Sequence, residues 1–596
     1  MTKELLLLLV FSPLLGAGAI AALGSERKEL SKQIALWVSM VPFALSILIY
    51  IQYLGLVEAG NLFPQGYVMF MDADWVSGGN VDINFTFALD GISIYLVLLT
   101  TLIFPLSIYF SWGSVEKFPR AYYALMLLLE VGVLGFFLSL DMLLFYVFFE
   151  MVLIPMYFLI GIWGGKERVY ASLKFFLYTL VGSLLMLVAI IYVGSHVNFE
   201  ALAALPEFAS KENMADLIFT TDYSVILANA NLADNINPIT ANAQSWLFAA
   251  FALSFAVKVP LFPLHTWLPD AHVQAPTAGS VILAGVLLKM GTYGLIRFCL
   301  PLFPAASVKF ATFMSVLGVI GIIYGAMAAM VQTDVKKLVA YSSVSHLGFI
   351  VLGIFAFTEE AMSGAVIQMV NHGIATGALF LLVGMIYDRR HTREIKDFQG
   401  IAKQMPKFTF IFMITVMASV GLPGLNGFVG EFLVLIGSFG SSVISGIWPI
   451  LAATGVVIAA VYLLWMFRRV MFGELDKEAN QKLLDLNRRE IFVMMPLVVL
   501  MFVMGFYATP FLKQISPSSK IIVEDVLERG YQGLGEDGHV EQQEEIKEEE
   551  APASVEMAYG IEKWEGQTQD LSASTDAPVQ ASISVGDLSG LVALEE

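Results

Sequence analysis

Six ionisable side chains stand inside apolar runs long enough to cross a bilayer. Along the chain they read carboxylate, ammonium, ammonium, imidazole, imidazole, carboxylate. Glu150 lies in LLFYVFFEMVLIPMYFLIGIWGG, Lys258 and Lys289 in two neighbouring runs, His346 in VAYSSVSHLGFIV, His372 in QMVNHGIATGALF, and Glu431 after a glycine-rich interruption. A lysine at the centre of a spanning helix costs about 2.5–3.5 kcal/mol on insertion scales, so such groups are rare and mark ion or proton paths. Burial favours the neutral form of each group, and an opposite charge favours the charged form. A row of them can therefore hold protons, release them and change partners. Glu150, Lys258, Lys289, His346 and Glu431 form the primary set. Glu130 in LMLLLEVGVLGFF, His265 and His372 are secondary candidates.

Each residue also has a plainer reading. A buried Glu–Lys pair can be a structural bridge, and a lone histidine on a helix can be a satisfied core residue. Lys174 is close enough to a helix end to snorkel. His272 and His391 lie toward helix ends and read as surface groups. Six mid-span ionisable groups are too many for a purely structural account of all of them.

The elements around these residues are interrupted where the charges sit. Residues 253–297 read LSFAVKVPLFPLHTWLPDAHVQAPTAGSVILAGVLLKMGTYGLIR, with Pro260, Pro263 and Pro269 between the two lysines. Proline removes a backbone donor and clashes with the preceding turn. Gly421-Leu422-Pro423-Gly424-Leu425-Asn426-Gly427 interrupts a second run ten residues or fewer before Glu431. Non-helical backbone at membrane depth persists only where protein or a hydrated cavity covers it, and transporters build ion sites from such broken helices.

Of the 596 residues, 57% are hydrophobic and 14% charged, and the mean hydropathy is +0.74, the composition of a polytopic membrane protein. At about 20 apolar residues per helix, fourteen spans fall near 4–23, 35–55, 91–112, 120–139, 141–162, 171–194, 246–267, 277–299, 310–332, 337–357, 362–386, 408–438, 447–471 and 490–511. The first is followed directly by Glu26-Arg27-Lys28 and reads as a retained span rather than a cleaved signal. Loops after odd-numbered spans carry 21 Lys/Arg, and loops after even-numbered spans carry only Lys211 and Lys309. The excess marks the cytoplasmic side and puts both termini outside it, in a bacterial cell membrane.

Gly182-Ser183-Leu184-Leu185-Met186-Leu187-Val188 recurs as Gly377-Ala378-Leu379-Phe380-Leu381-Leu382-Val383. The offset carries Glu150 onto Ser345, beside His346. Spans four to eight and nine to thirteen read as two copies of a five-helix unit, and an odd number of spans per unit inverts the second copy. The expected fold is all-α: about fourteen transmembrane helices, with two inverted five-helix repeats containing broken helices. The expected segments are 1–119 (N-terminal helices and an extracytoplasmic loop), 120–300 (first repeat), 301–475 (second repeat), 476–515 (C-terminal helix) and 516–596 (an acidic, disordered tail). Residues 531–596 alone hold 16 Asp/Glu against 2 Lys, so most of the net −18 lies in that tail.

Other chemistries lack their residues. The single cysteine, Cys299, excludes a disulfide framework or iron–sulfur ligation within this chain. His265 has no second metal ligand at a convincing spacing. No basic stripe suits nucleic acid, and no dinucleotide fingerprint, phosphate-binding loop, flavin motif or haem motif is present. No cofactor is expected in this chain.

The motifs FFEMVLIPMYFLIGIWGG, FAVKVPLFPLHTWLPDAHVQAPTAGSVILAGVLLKMGTYGLIRF, VQTDVKKLVAYSSVSHLGFI, QMVNHGIATGALFLLVG and ASVGLPGLNGFVGEF resemble those of the antiporter-like membrane subunits of respiratory complex I, the proton-pumping NADH:quinone oxidoreductase. They cover residues from about 120 to 475. The glutamate in span twelve is similar to the subunit M branch, whose paralogues have lysine there. The resemblance implies that Glu150 pairs with Lys258, that Lys289 and His346 continue the path, and that Glu431 ends it. It implies coupling of quinone reduction to proton transfer, with FMN, iron–sulfur clusters and quinone in other subunits. The implied partners are paralogous antiporter-like membrane subunits, the lipid bilayer and protons. The D-type subunit of multisubunit Na⁺/H⁺ antiporters is similar over the same motifs and stands as the alternative. The acidic tail departs from the family pattern.

Overall fold

The computed structural model describes residues 2–534 apart from 25, 61–65, 79, 209–213 and 233–235. Among the described residues, twelve helices are long and apolar enough to cross a membrane, from Glu4–Ala22 through Lys28–Glu58, Ser93–Gly113 and Pro119–Leu138 to Ile447–Met471 and Arg488–Phe506. Twelve, rather than the expected fourteen, meet this measure. The other two expected spans, 246–267 and 408–438, are each split into shorter helices: Ala241–Lys258 with Trp267–Gln274, and Pro406–Val420 with Asn426–Phe439. The interruptions fall at the prolines and glycines that disfavour helix. Lys28–Glu58 and Glu359–Arg390 run well beyond the expected 35–55 and 362–386. Their polar ends continue the helix past the apolar segment that marks it in sequence.

Burial sorts the helices into layers. The best 18-residue windows of Thr277–Leu302 and Glu359–Arg390 are 100% buried and that of Val335–Phe355 is 94% buried, against 39% for Arg168–Ser195, Ile447–Met471 and Arg488–Phe506. The first three form the axis of the bundle, and the second three turn apolar faces outward. Lys289, His346 and His372 ride on the axial helices.

Two helices carry irregularities beside their charged residues. The Met142–Trp163 span divides into Met142–Met151 and Leu153–Trp163 directly after Glu150. Pro155 has no N–H for the Met151 carbonyl, which accounts for the division. In Thr277–Leu302, π-helical segments Leu283–Leu287 and Leu295–Cys299 flank Leu288–Gly294, which holds Lys289. Single-turn π segments of this kind occur often at functional positions.

One local construction occurs twice. Asp141 caps the helix from Met142 by accepting from the backbone N–H groups of Leu143 and Leu144, and it pairs in a β-bridge with Asp222 in the loop before the first broken helix. Asp334 caps the helix from Val335 through Lys336 and Lys337, and it bridges Glu394 in the loop before the second broken helix. Burial pushes the Asp141 carboxyl up to about 7, against hydrogen bonds from the Thr221 hydroxyl and the Leu144 and Asn84 amides.

Short strands, absent from the sequence reading, sit between the second and third spans. Met69–Met71 pairs antiparallel with Phe87–Leu89, and Asp74–Gly78 pairs with Val81–Asn84, which also runs parallel to Phe219–Thr220. The expected tail boundary at 516 is also corrected. Thr509–Leu534 is one helix, with Ile515, Ser519, Val523 and Val526 buried at helical spacing. The Ser518 hydroxyl accepts from the Gly91 amide, Arg529 donates to the Pro301 carbonyl, and Ser516 donates to Glu359. The rest of the expected disordered tail lies outside the described residues.

This packing predicts a contrast along the last helix. Val526 is fully buried, and Val526→Asp places an uncompensated charge there. It should lower the thermal midpoint of the solubilised protein by several degrees. Lys520, in an exposed ion pair with Glu524, should tolerate alanine with a change within about 0.5 kcal/mol.

Candidate functional site

The first break ends its helix at Lys258. Phe255 O keeps its regular helical bond from Val259 N at 2.7 Å, and the next two carbonyls find substitutes: Ala256 O accepts from Leu261 N at 2.9 Å, and Val257 O from the Trp267 indole at 2.8 Å. Lys258 therefore sits at the negative end of the helix dipole, which favours an ammonium by about 0.3–1 kcal/mol and by up to about 2 kcal/mol when partly buried. Its Nζ is buried, makes no hydrogen bond and lies 4.6 Å from the centre of the Phe149 ring. Glu150 Oε1 is likewise unpartnered, and the charges of Glu150 and Lys258 act on each other without direct contact. In this conformation the pair is open.

Lys289 is fully buried. Its ammonium donates to the Ala284 carbonyl, in the π segment one turn earlier, and reaches His372 Nδ1 at 2.7 Å. That contact makes Nδ1 the acceptor and puts the neutral ring's proton on Nε2. Gly373 allows the approach. A Cβ there would lie 2.5 Å from Leu99 Cδ2 and 2.8 Å from the Gly285 carbonyl, so the two axial helices touch backbone to backbone beside Lys289 and His372.

The second break closes in another way. Gly421 adopts φ +81°, with Leu422 N bonded to Met417 O at 3.1 Å and Gly421 N to Ala418 O at 3.3 Å. This is the Schellman pattern, which needs a residue at ease in the left-handed region. The chain resumes helix at Asn426, and Glu431 follows. Its Oε1 accepts from Gln368 Nε2 at 3.1 Å and lies 2.8 Å from His346 Nδ1. The His346 and His372 ring centres are 5.7 Å apart, and Nε2 of each is buried without a partner. Both rings border a cavity of about 10 Å³, with Gln368, Asn371, Thr376, Ser419 and Glu431. That is about the volume one water needs. The site is thus two bonded pairs, Lys289–His372 and His346–Glu431, meeting across a water-sized gap.

The family of NADH:quinone oxidoreductase/Mrp antiporter transmembrane subunits matches residues 139–459. NADH-quinone oxidoreductase subunit M of Rhodobacter capsulatus is 43% identical over 524 residues, 88% of this chain and 97% of that protein. The chain belongs to this family. A chain of respiratory complex I from Thermus thermophilus superposes with a TM-score of 0.73 at 30% identity, covering 87% of this chain and 99% of that one. A chain of the Mrp complex from Dietzia superposes with a TM-score of 0.70 at 20% identity, covering 88% and 99%, and shares the fold.

Within this antiporter-like fold the expected residues separate. Lys289, His346 and Glu431 join one row, and His372, a secondary candidate in sequence, stands at its centre. Glu150 and Lys258 form a second group. Glu130 faces away from both, accepting from Ser39 Oγ at 3.2 Å beside the first two helices. His265 packs among Phe262, Tyr324 and Tyr341 without bonding to the row. Lys174 pairs with Asp270 at 2.7 Å. His272, expected near the surface, is fully buried and stacked on Phe380. The short helix carrying it packs between Arg168–Ser195 and Val335–Phe355 instead of lying at the surface. Among the described residues, no group of three or more His, Cys, Asp or Glu could hold a metal.

Other polar residues were not singled out from sequence. Gln368 lies one helical turn before His372 and so shares its face, a signal that spacing could have supplied. Asn371 Nδ2 donates to the Asn426 carbonyl at 2.7 Å and Asn426 Nδ2 to the Asn371 carbonyl at 3.4 Å, clamping the second break to the His372 helix. Arg297 forms a buried ion pair with Asp90 and also reaches the hydroxyls of Tyr67 and Tyr293. Burial works against the Asp90 carboxylate, but the Arg297 guanidinium and the Ser93 hydrogen bonds hold its pKa below the ordinary value.

The close approach at Gly373 gives a packing test. Gly373→Ala should cost about 1–3 kcal/mol by overpacking and lower the thermal midpoint. Gly18→Ala, inside a helix and with nothing within 4 Å of its added methyl, should not lower the midpoint and should raise it slightly, because alanine favours a helix interior.

Proposed function

We infer that this chain is the proton-translocating membrane subunit of a complex I-type NADH:quinone oxidoreductase. The observation that carries the reading is the bonded order of four buried side chains, Lys289–His372, cavity, His346–Glu431. A proton on Lys289 can pass to His372 Nδ1 as Nε2–H is given up across the gap. His346 takes it on Nε2 and yields its other proton to Glu431, so each imidazole is returned ready by a ring rearrangement.

Glu150 and Lys258 act as the switch. Closed, the Glu150 carboxylate stabilises the Lys258 ammonium. Open, as here, Lys258 lacks a partner and favours giving up its proton toward Lys289. A change of field from a neighbouring subunit needs to bias this equilibrium by only about 1–3 kcal/mol. Redox chemistry, with FMN, iron–sulfur clusters and quinone, then belongs to other subunits of the enzyme, and paralogous antiporter-like subunits adjoin this one. The segments 120–300 and 301–475 act as inverted repeats with the row at their junction. The identity to subunit M favours this reading over a Na⁺/H⁺ antiporter subunit, for which the similarity is one of fold.

Two tests follow. Lys258→Arg keeps the charge but cannot release its proton. It should cut proton uptake by vesicles at least tenfold per assembled complex and slow quinone reduction with it, and full activity would remove Lys258 deprotonation as a step. For orientation, we place both termini and the 196–245 loop outside the cytoplasm. The sole native cysteine, Cys299, is buried. An impermeant maleimide applied to intact cells should label Asn231→Cys and leave Lys482→Cys unlabelled.

A further inference from the structure

We propose that the basic cavity at the end of Ile447–Met471 binds the phosphate headgroup of an anionic phospholipid whose acyl chains lie along that helix. The inference is independent of the proton row. It begins with three cations that lack acidic partners. Lys396, Arg468 and Arg469 line one cavity of about 520 Å³, a volume typical of ligand sites. Among the described residues, neither guanidinium nor the Lys396 ammonium makes a hydrogen bond or an ion pair; Arg469 only stacks on Trp465. The acids nearest in sequence do not neutralise them. Asp397 accepts from the Thr392 hydroxyl at 2.6 Å, and Glu474 and Asp476 form no ion pair. Like charges gathered around one hollow repel each other. A phosphate-bearing anion relieves this, and arginine presents the planar fork of donors that phosphate oxygens accept.

The hollow is built by two segments held together. One wall is the last turn of Ile447–Met471 with Phe472, and the other runs from Ile395 to Gln399, ahead of the second broken helix. Gly400 N donates to the Phe472 carbonyl at 3.3 Å and joins the walls. The chain then turns at Gly473, φ +112°, where a Cβ would lie 2.8 Å from Gln399 Cγ. Glycine permits both the conformation and the approach. Orienting the helix would need its two arginines alone. It does not need Lys396, from another loop, to converge on them.

The face below the cavity points to a lipid rather than a soluble anion. Ile450, Val457, Val461, Leu464 and Trp465 are exposed, and at helical spacing they make one apolar stripe that leads to Arg468. The Arg469 guanidinium carbon lies 4.5 Å from the centre of the Trp465 ring. Tryptophan at the end of a spanning helix marks headgroup depth. The three cations belong to the Lys/Arg-rich loops assigned above to the cytoplasmic side, the leaflet that carries anionic lipid. Headgroup cavity and acyl-chain track therefore adjoin on one helix.

The test is photocrosslinking in the assembled complex. The photoreactive residue p-benzoylphenylalanine replaces Phe472, which is exposed on the cavity wall, and the complex is reconstituted into phosphatidylcholine vesicles containing a minor share of phosphatidylglycerol. Mass spectrometry of the crosslinked peptide should find phosphatidylglycerol enriched at least fivefold over its share of the membrane. Adding Arg468→Gln with Arg469→Gln should return the crosslinks to that share. Inorganic phosphate, added at constant ionic strength, should leave the enrichment unchanged. Crosslinks that follow membrane composition, enrichment that survives the double substitution, or capture of another subunit in place of lipid would overturn the proposal. Loss of enrichment on adding inorganic phosphate would assign the cavity to a soluble anion and equally overturn it. If the double variant does not assemble, Lys396→Gln decides, since it lies on the opposite wall and leaves both arginines in place. It should lower the enrichment at least twofold, and an unchanged enrichment would overturn the proposal.

Discussion

The structure depends on one constraint: inside a bilayer, every backbone N–H and C=O that a helix gives up must find another partner. At Lys258 the replacements are the Leu261 amide and the Trp267 indole. At Gly421 they come from the turn itself, in a pattern that a left-handed glycine permits. With these substitutes in place, two helices can stop at membrane depth, one leaving a lysine at its negative end and the other placing Glu431 opposite His346. Remove the breaks and Lys258 loses its dipole and Glu431 its approach to the axial helices.

Charge then follows packing. Gly373 and Gly285 bring the two most buried helices into contact, and this contact is why an ammonium and an imidazole can bond where neither would stand alone. The two bonded pairs stop short of each other. A directly bonded row from Lys289 to Glu431 would be a rigid network, whereas a gap the size of one water lets the halves exchange a proton and then separate. The open Glu150–Lys258 pair has the same character, since a pair that is always closed is only a bridge.

Much of this was legible in the chain. The mid-span position of each charge, the proline and glycine interruptions and the family motifs located the breaks and most of the row, because a charge in an apolar run has few explanations. What spacing could not supply was direction. His372 looked like any helical histidine until the Gly373 contact set it against Lys289. His272 looked peripheral because it lies toward a helix end, and a sequence does not say which way a chain turns after three prolines. The Thr509–Leu534 helix was missed for a different reason. Its buried stripe is carried by few residues amid charged ones, and composition weighed against a pattern that periodicity would have revealed. The strands near residue 80 lack the long alternation that marks a strand, and one of them also pairs with Phe219–Thr220 in the loop after the sixth span.

The central claim is that a proton resides in turn on the groups of this row while the enzyme works. Infrared difference spectra of the assembled complex, recorded between resting and turning-over states, read the protonation of Glu431 directly. The account predicts a carbonyl band of a protonated carboxylic acid that changes with turnover, is lost in Glu431→Gln, and no longer changes in Lys289→Met although Glu431 is intact. A Glu431 band that is the same in both states, in a complex shown to be pumping, would contradict it.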